Sequence, residues 1–168
     1  MPLLLDIATA FEQADVDYVI VGGMAVVLHG HTRMTVDIDL ALDLETENLT
    51  RALDLLQGLG LRPRLPVRPQ DFIDQDTRES WISERNLIAF TMHDPADARR
   101  EVDIFAHSPI PFQSLSAAAE VMYVGQTPIR VVSLPHLIAL KEQAGRPQDL
   151  ADIAALRNLP PGRRLDRS

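Results

Sequence analysis

Residues 17–42 read DYVIVGGMAVVLHGHTRMTVDIDLAL. Tyr18 to Val21 is a short β-rich run that ends in Gly22-Gly23, Met24 to His29 follows as a short helical stretch, and Val36 to Leu42 alternates apolar residues with Asp37 and Asp39. Without a Cβ, the Gly pair permits φ > 0 in a tight turn and lets a backbone approach a phosphate closely. A helix that begins directly after such a turn offers unpaired N–H groups to an anion. Asp37 and Asp39 stand at i and i+2 of a strand pattern, so both carboxylates leave the same face. Two carboxylates held side by side repel, and a hard divalent cation relieves that repulsion. Mg²⁺ suits such a pair because it takes oxygen ligands and binds through one or two carboxylates plus substrate phosphates.

Working outward, Leu4, Leu5, Ala8, Phe11 and Ala14 recur at helical spacing and predict an amphipathic helix over 3–14. Thr46 to Leu59 repeats the pattern with Leu49, Leu53 and Leu56, and Gly58 and Gly60 punctuate its end. Residues 61–70 (LRPRLPVRPQ) hold three prolines and three arginines, which predicts an extended, exposed segment. Asp71 to Glu84 reads as helix anchored by Phe72 and Trp81. Leu87 to Met92 and Glu101 to Ala106 read as strands separated by the polar turn HDPADARR. Val121 to Val124 and Ile129 to Val132 flank Gly-Gln-Thr-Pro and predict a hairpin. Leu134 to Ala144 and Gln148 to Leu159 are helical, broken at Gly145 to Pro147, and the end PPGRRLDRS reads as frayed.

Glu101-Val102-Asp103-Ile104-Phe105 adds a third acid, since Asp103 is polar between apolar neighbours in a β-like run. A lone D-x-D is often only a solvated strand face, and a lone Gly-Gly is equally weak. The order strand, Gly-Gly, helix, D-x-D strand, later Asp strand is far more specific. Three carboxylates on one sheet can hold Mg²⁺ for in-line phosphoryl chemistry: Asp37 and Asp39 on the metal that bridges a triphosphate, Asp103 completing a second metal position or accepting the proton of an attacking hydroxyl.

Composition sets bounds around this site. At 168 residues with 46% hydrophobic content the chain is one domain with a real core. A formal net charge of −8 argues against a broad phosphate-tracking surface but leaves room for a small basic cleft. There is no cysteine, which excludes disulfides and thiolate metal sites and fits a cytoplasmic location. The first residues lack a basic n-region and meet Asp6 too early for a secretory signal, and no stretch is apolar for the length of a membrane span.

Gly22-Gly23, Asp37-Ile38-Asp39 and Asp103 together resemble the core pattern of the nucleotidyltransferase superfamily. The resemblance implies an α/β (α+β) nucleotidyltransferase-like fold: a small mixed twisted sheet flanked by helices, with C-terminal helices. It also implies transfer of a nucleoside monophosphate from NTP to an acceptor with release of pyrophosphate, and Mg²⁺ as cofactor. Ser133 to Lys141, leading to Gly145-Arg146-Pro147-Gln148-Asp149-Leu150-Ala151-Asp152, is similar to the Lys-then-Arg-x-x-Asp segment of AbiEii/AbiGii toxin-like nucleotidyltransferases, the toxins of toxin–antitoxin and phage-defence pairs. On that resemblance the organisation is a core over 1–132, a helical segment over 133–160 packed on it, and a flexible tail over 161–168. The catalytic set is Asp37, Asp39, Asp103, Lys141 and Asp149. The nucleotide-binding set is Gly22, Gly23, Arg33, Lys141 and Arg146, and the metal ligands are Asp37, Asp39 and Asp103. The acceptor is tRNA, a protein or a small molecule, and a cognate antitoxin is an implied partner; no membrane is involved. Alternatives are an inactive nucleotide-binding or regulatory partner of the same fold, and a small-molecule enzyme of the aminoglycoside-modifying type.

Lys141 is the only lysine in the chain. It either reaches a triphosphate as a point charge or snorkels to the surface. Asp149 either positions that lysine and pairs with Arg146 at i, i+3, or simply favours a helix dipole. Arg33 is either a phosphate fork or a turn residue. His29 and His31 lack a further soft ligand and read as turn residues. Arg62, Arg64 and Arg68 form a basic strip that either meets RNA or nucleotide, or decorates a Pro-stiffened loop. Arg99-Arg100 lies just ahead of the Asp103 strand, and Phe72 and Trp81 read as core anchors rather than base-stacking platforms.

Overall fold

The computed structural model describes residues 2–159; the tail from Pro160 that the sequence reads as frayed lies outside the described residues. In chain order the elements are α1 (Pro2–Gln13), β1 (Tyr18–Ile20), α2 (Gly22–Leu28), β2 (Ile38–Leu42), α3 (Thr46–Gly58), β3 (Arg62–Pro63), α4 (Pro69–Ile73), α5 (Gln75–Arg85), β4 (Ala89–Asp94), β5 (Asp97–Phe105), α6 (Phe112–Ala117), β6 (Glu120–Val124), β7 (Thr127–Val131), α7 (Leu134–Ala144) and α8 (Pro147–Arg157). The strands form one mixed, seven-stranded sheet in the order β3-β4-β5-β2-β1-β7-β6, flanked by helices.

The centre of the sheet is what positions the site. Strand β1 runs antiparallel to β2 and parallel to β7, and β2 runs parallel to β5. Tyr18, Val19 and Ile20 are wholly buried, as are Leu40, Val102 and Ile104 beside them. Strands covered on both faces read as apolar runs, so each polar interruption in β2 and β5 marks a place where something other than packing decides the residue. Against this sheet α1 lays Leu4, Ile7, Ala8 and Phe11, and α3 lays Leu49, Leu53 and Leu56, all fully buried. Phe11 meets Tyr18 edge-to-face at 5.4 Å. Burial pushes the Tyr18 phenol up to about 12, and its oxygen accepts from the Arg130 N–H.

Several elements differ from the sequence expectation for local reasons. The helix expected over 71–84 is two helices, α4 and α5, because Asp74 is extended and caps α5 by accepting from the Thr77 N–H at 2.8 Å. The segment 61–70 is not uniformly exposed: Leu61 is fully buried, and Arg62-Pro63 pairs with Met92 and His93 of β4. The turn HDPADARR is mostly strand, since β4 and β5 continue until Asp94 faces Asp97 and only two residues turn. Helix α6 has no counterpart in the sequence reading. Phe72 and Trp81 are core residues as expected, both stacked on Phe90 at 4.4 Å and 6.3 Å.

Helix α7 ends at Gly145 with φ +62, the left-handed conformation that glycine adopts without a Cβ penalty. Pro147 then sits in the first turn of α8, where its missing N–H costs nothing. This break folds α8 back on α7, and Leu137 of α7 and Leu156 of α8 join the single apolar cluster of the sheet.

Candidate active site

Strand β2 delivers the D-x-D. It begins at Ile38, so Asp37 stands just ahead of the strand and Asp39 is its second residue. In the parallel register Ile38 faces Val102 and Asp39 faces Asp103. One residue earlier, Asp37 lies level with Glu101. Carboxylate oxygens of Asp37, Glu101 and Asp103 come within 4.8 Å of one another. The structure therefore brings Asp37 and Asp103 together as the sequence predicts, with Glu101 rather than Asp39 as the third member of the tightest cluster. Sequence reading passed over Glu101, although its i, i+2 spacing to Asp103 repeats that of Asp37 and Asp39.

Asp39 is turned toward the Gly pair. Its Oδ2 accepts from the Gly23 N–H at 3.2 Å. Gly22 has φ +60, and a Cβ there would lie 1.9 Å from Asp39 Oδ2. A Cβ on Gly23 would meet Thr35 Oγ1 at 2.6 Å. The Gly pair thus makes room for the carboxylate and for the 33–35 loop as well as opening α2. Gly22→Ala has to move Asp39 and hold a left-handed alanine, at a cost of about 1–2 kcal/mol from the backbone alone. The expected result is a fall in denaturant stability of that size together with loss of nucleotidyl transfer; unchanged transfer in this variant rules out the tight Gly22–Asp39 fit.

Asp39 and Asp103 are met by neutral donors. Thr91 Oγ1, opposite in β4, donates to Asp103 Oδ1 at 2.6 Å. Burial, reinforced by Asp103 and Asp37 and only partly offset by the Gly23 N–H and Lys141, raises Asp39 to about 6. Desolvation and then the charges of Glu101 and Asp103 raise Asp37 as well. Such crowding of carboxylates is relieved by a positive charge brought among them.

A second cluster flanks the first. Lys141 on α7 is 5% exposed, which excludes the snorkelling alternative. Its Nζ pairs with Asp149 at 3.0 Å and Asp152 at 2.7 Å. Arg33 reaches from the α2–β2 loop to the other side of Asp152 at 2.6 Å, and Arg146 pairs with Asp149 at 2.7 Å. Gln148 adds a bond to Asp152 at 3.1 Å. Burial pushes Asp149 and Asp152 up, but these partners outweigh it and hold both below the usual carboxylate value. Asp152 is the second residue that sequence reading left without a role, and its signal was the shared helix face with Asp149, one turn apart. Three cations against two carboxylates leave this wall net positive beside Asp39.

The weaker candidates resolve into structural contacts. Arg64 pairs with Glu101, Arg68 with Asp71, Arg99 with Asp97 and Arg100 with Asp94, while Arg62 donates to the Gln57 and Leu61 carbonyls. The basic strip is therefore not a row of free cations. His29 Nε2 bonds the Val132 carbonyl at 2.8 Å, which ties the end of α2 to the strand beside it.

A sequence model of the nucleotidyl transferase AbiEii toxin, of type IV toxin–antitoxin systems, matches residues 4–166. The chain belongs to the AbiEii nucleotidyltransferase family. Among curated proteins none matches the sequence significantly. Solved structures share the fold at low identity. The lincosamide antibiotic adenylyltransferase LnuA, lincomycin-bound, superposes with a TM-score of 0.64 at 16% identity, covering 95% of this chain and 97% of that one. ANT(2")-Ia, in complex with adenylyl-2"-tobramycin, gives 0.60 at 16% identity over 92% and 86%. An antigenic nucleotidyltransferase-like protein from Paracoccidioides brasiliensis gives 0.55 at 17% identity over 92% and 73%. AbiEii membership makes the chain an NTP-dependent nucleotidyltransferase. The described residues contain no helix long and apolar enough to cross a membrane.

Proposed function

We propose that this AbiEii-family chain transfers a nucleoside monophosphate from NTP to an acceptor hydroxyl with Mg²⁺ as cofactor. The observation that carries the reading is the carboxylate cluster: Asp37 and Asp39 at the start of β2 lie beside Asp103 near the end of the parallel strand β5, and the net-positive Lys141 wall stands beside them. The donor chemistry fits the ion, because carboxylate oxygens are hard ligands and those of Asp37, Asp103 and the neighbouring Glu101 lie within 4.8 Å of one another. Asp37 and Asp39 are the residues that would hold it, with Asp103 beside them, and when bound it would neutralise triphosphate charge and favour in-line displacement.

The protein's own groups divide the remaining work. Gly22 and Gly23, at the opening of α2, let Asp39 and the 33–35 loop close onto the site. Arg33, Lys141 and Arg146 supply positive potential to the triphosphate, with Asp149 and Asp152 fixing where that charge lies. Asp103 accepts the proton as the acceptor oxygen bonds to the α-phosphorus. The bond from that phosphorus to the bridging oxygen breaks, and pyrophosphate leaves. Thr91, bonded to one Asp103 oxygen, keeps the other free for this exchange.

The role of a toxin follows the family, and the acceptor is the open partner: tRNA, protein or a small molecule. One experiment separates these. Purified protein is incubated with Mg²⁺ and each α-labelled NTP against total tRNA, lysate protein and a set of aminoglycosides and lincosamides. Label is expected in one acceptor class only, and is lost on adding EDTA. No transfer to any class, combined with no NTP binding by calorimetry, overturns the reading in favour of an inactive partner of the same fold.

A further inference from the structure

A cavity of about 290 Å³ opens at the far end of the two strands that carry the acids. Strand β2 reaches its wall at Ala41 and Leu42 and β5 at Phe105, whereas Asp39 and Asp103 lie earlier on each strand. The remaining wall comes from the β2–α3 turn with Asp43 and Glu45, from α5 with Arg78, and from α6 with Phe112 and Gln113. Arg78 is the unusual member. It is 7% exposed, and burial lowers its pKa below the ordinary guanidinium value against the opposing charges of Glu79 and Asp74. Its Nη1 donates to the Phe72 and Ile73 carbonyls at 2.8 Å and 3.0 Å. Its Nε and Nη2 have no hydrogen-bond partner among the described residues, yet they are not sealed from solvent, as the unpartnered nitrogens of Arg100 and His136 are. The space open to them is the cavity that Arg78 lines. Among the described residues Arg78 pairs with no carboxylate, and Asp43 and Glu45 pair with no cation. A buried charge without a counter-charge is costly, and here opposite charges line one cavity without meeting.

We propose that this cavity binds a free amino acid, with its carboxylate on the Nε–Nη2 edge of Arg78, its ammonium toward Asp43 and Glu45, and its side chain against Phe105 and Phe112. The open edge of a guanidinium matches the two oxygens of a carboxylate. A phosphate in that place would carry more negative charge toward Asp43 and Glu45, and an uncharged ligand would leave charges of both signs unanswered. Size points the same way, because pockets for drug-sized ligands begin at about 300 Å³, so this one suits a smaller solute. The cavity lies two or three residues along β2 from Asp39, about 7–10 Å, so its occupant leaves the nucleotide cleft free.

The test is isothermal titration calorimetry of the full chain with leucine and phenylalanine, each beside its N-acetyl derivative and the amine that lacks the carboxylate. The free amino acids are expected to bind, and both kinds of analogue to bind about tenfold or more weakly, as for loss of one hydrogen bond to a charged group. Arg78→Gln is expected to weaken the free amino acid by a similar factor while leaving the amine unchanged. Gln113→Trp, which fills the cavity from an exposed position on α6, is expected to abolish binding of all of them. Thermal melting checks that each variant is folded. If Arg78→Gln loses its bonds to the α4 carbonyls and unfolds, Gln113→Trp and the analogues decide. Saturation with ATP and Mg²⁺ is expected to leave the affinity unchanged, and competition would put the amino acid in the nucleotide cleft and overturn the site. N-acetyl derivatives that bind as tightly as the free forms remove the role of Asp43 and Glu45 and with it the amino-acid reading. A wild type that takes up neither amino acid at millimolar concentration, or binding that survives Gln113→Trp, overturns the proposal outright.

Discussion

Asp39→Asn is expected to abolish nucleotidyl transfer and, in EDTA at neutral pH, to raise the melting temperature. The two effects have one cause. The asparagine keeps an oxygen for the Gly23 N–H and fits the space left by Gly22, so the fold loses nothing. What disappears is a charge that burial and its neighbours disfavour. Asp39 has a folded-state value of about 6 against an ordinary 3.8. A carboxyl raised on folding contributes stability that is fully present below the unfolded value and lost as pH rises through the folded one. The wild type should therefore weaken relative to the variant between about pH 4 and pH 6, with the difference level above that window. The shift corresponds to about 3 kcal/mol as an upper figure, and on the order of 1–3 kcal/mol moves a domain of this size by several degrees. Below pH 4 the two proteins should melt alike. Transfer is expected to fall by about 10²–10³ or more, as when one preorganised electrostatic contact to the reacting centre is removed. An Asp39→Asn protein that melts lower than wild type at pH 7.5 in EDTA, or that transfers label normally, contradicts this account.

Lys141→Met is expected to do the opposite to stability while also impairing transfer. Lys141 holds two carboxylates that are themselves 2% and 0% exposed. Breaking a buried pair from one side typically costs about 3–5 kcal/mol, because the remaining charge stays buried. Arg146 and Arg33 remain on Asp149 and Asp152, which places the expected loss near the lower end in urea denaturation at pH 7. The acid side supplies a check of sign. Both aspartates are held below their ordinary value, so their stabilisation is present above about pH 4 and is lost as pH falls below it. Without Lys141 that acid loss should begin at higher pH. Adding Asp152→Asn to Lys141→Met should restore part of the stability. A loss under about 1 kcal/mol for Lys141→Met means the pair behaves like an exposed one.

How much of this was legible follows from which physics each feature depends on. Periodicity and punctuation are local, so α7 falls at Leu134–Ala144 as read, with Gly145 ending it and Pro147 opening α8. The D-x-D and Asp103 were visible because acids inside apolar strands are conspicuous. That Asp39 leans on Gly22 while Asp37 turns to Glu101 depends on strand register, which single-strand alternation does not contain. Glu101 hid behind Asp103 for the same reason: its neighbour Asp37 stands just ahead of β2, more than 60 residues earlier. Helix α6 is six residues long, too short to show a stripe. The division of 71–84 turned on one capping aspartate, a signal present in the sequence but weaker than the apolar spacing across it. The basic strip was misleading because charge in sequence says nothing of the acids that meet it in space.

The Arg33–Asp152 clasp joins residues 119 positions apart, and this has a consequence for the order in which the protein becomes active during synthesis. Domains take shape as the chain emerges, and the two halves of the sheet can pair before α8 exists. Until α8 is made, Lys141 has neither aspartate, the loop leading to Asp37 has no anchor, and the positive wall beside Asp39 is unassembled. On the proposed reading, a nascent chain that already carries Asp37, Asp39 and Asp103 gains its Lys141 wall only when its last described helix docks.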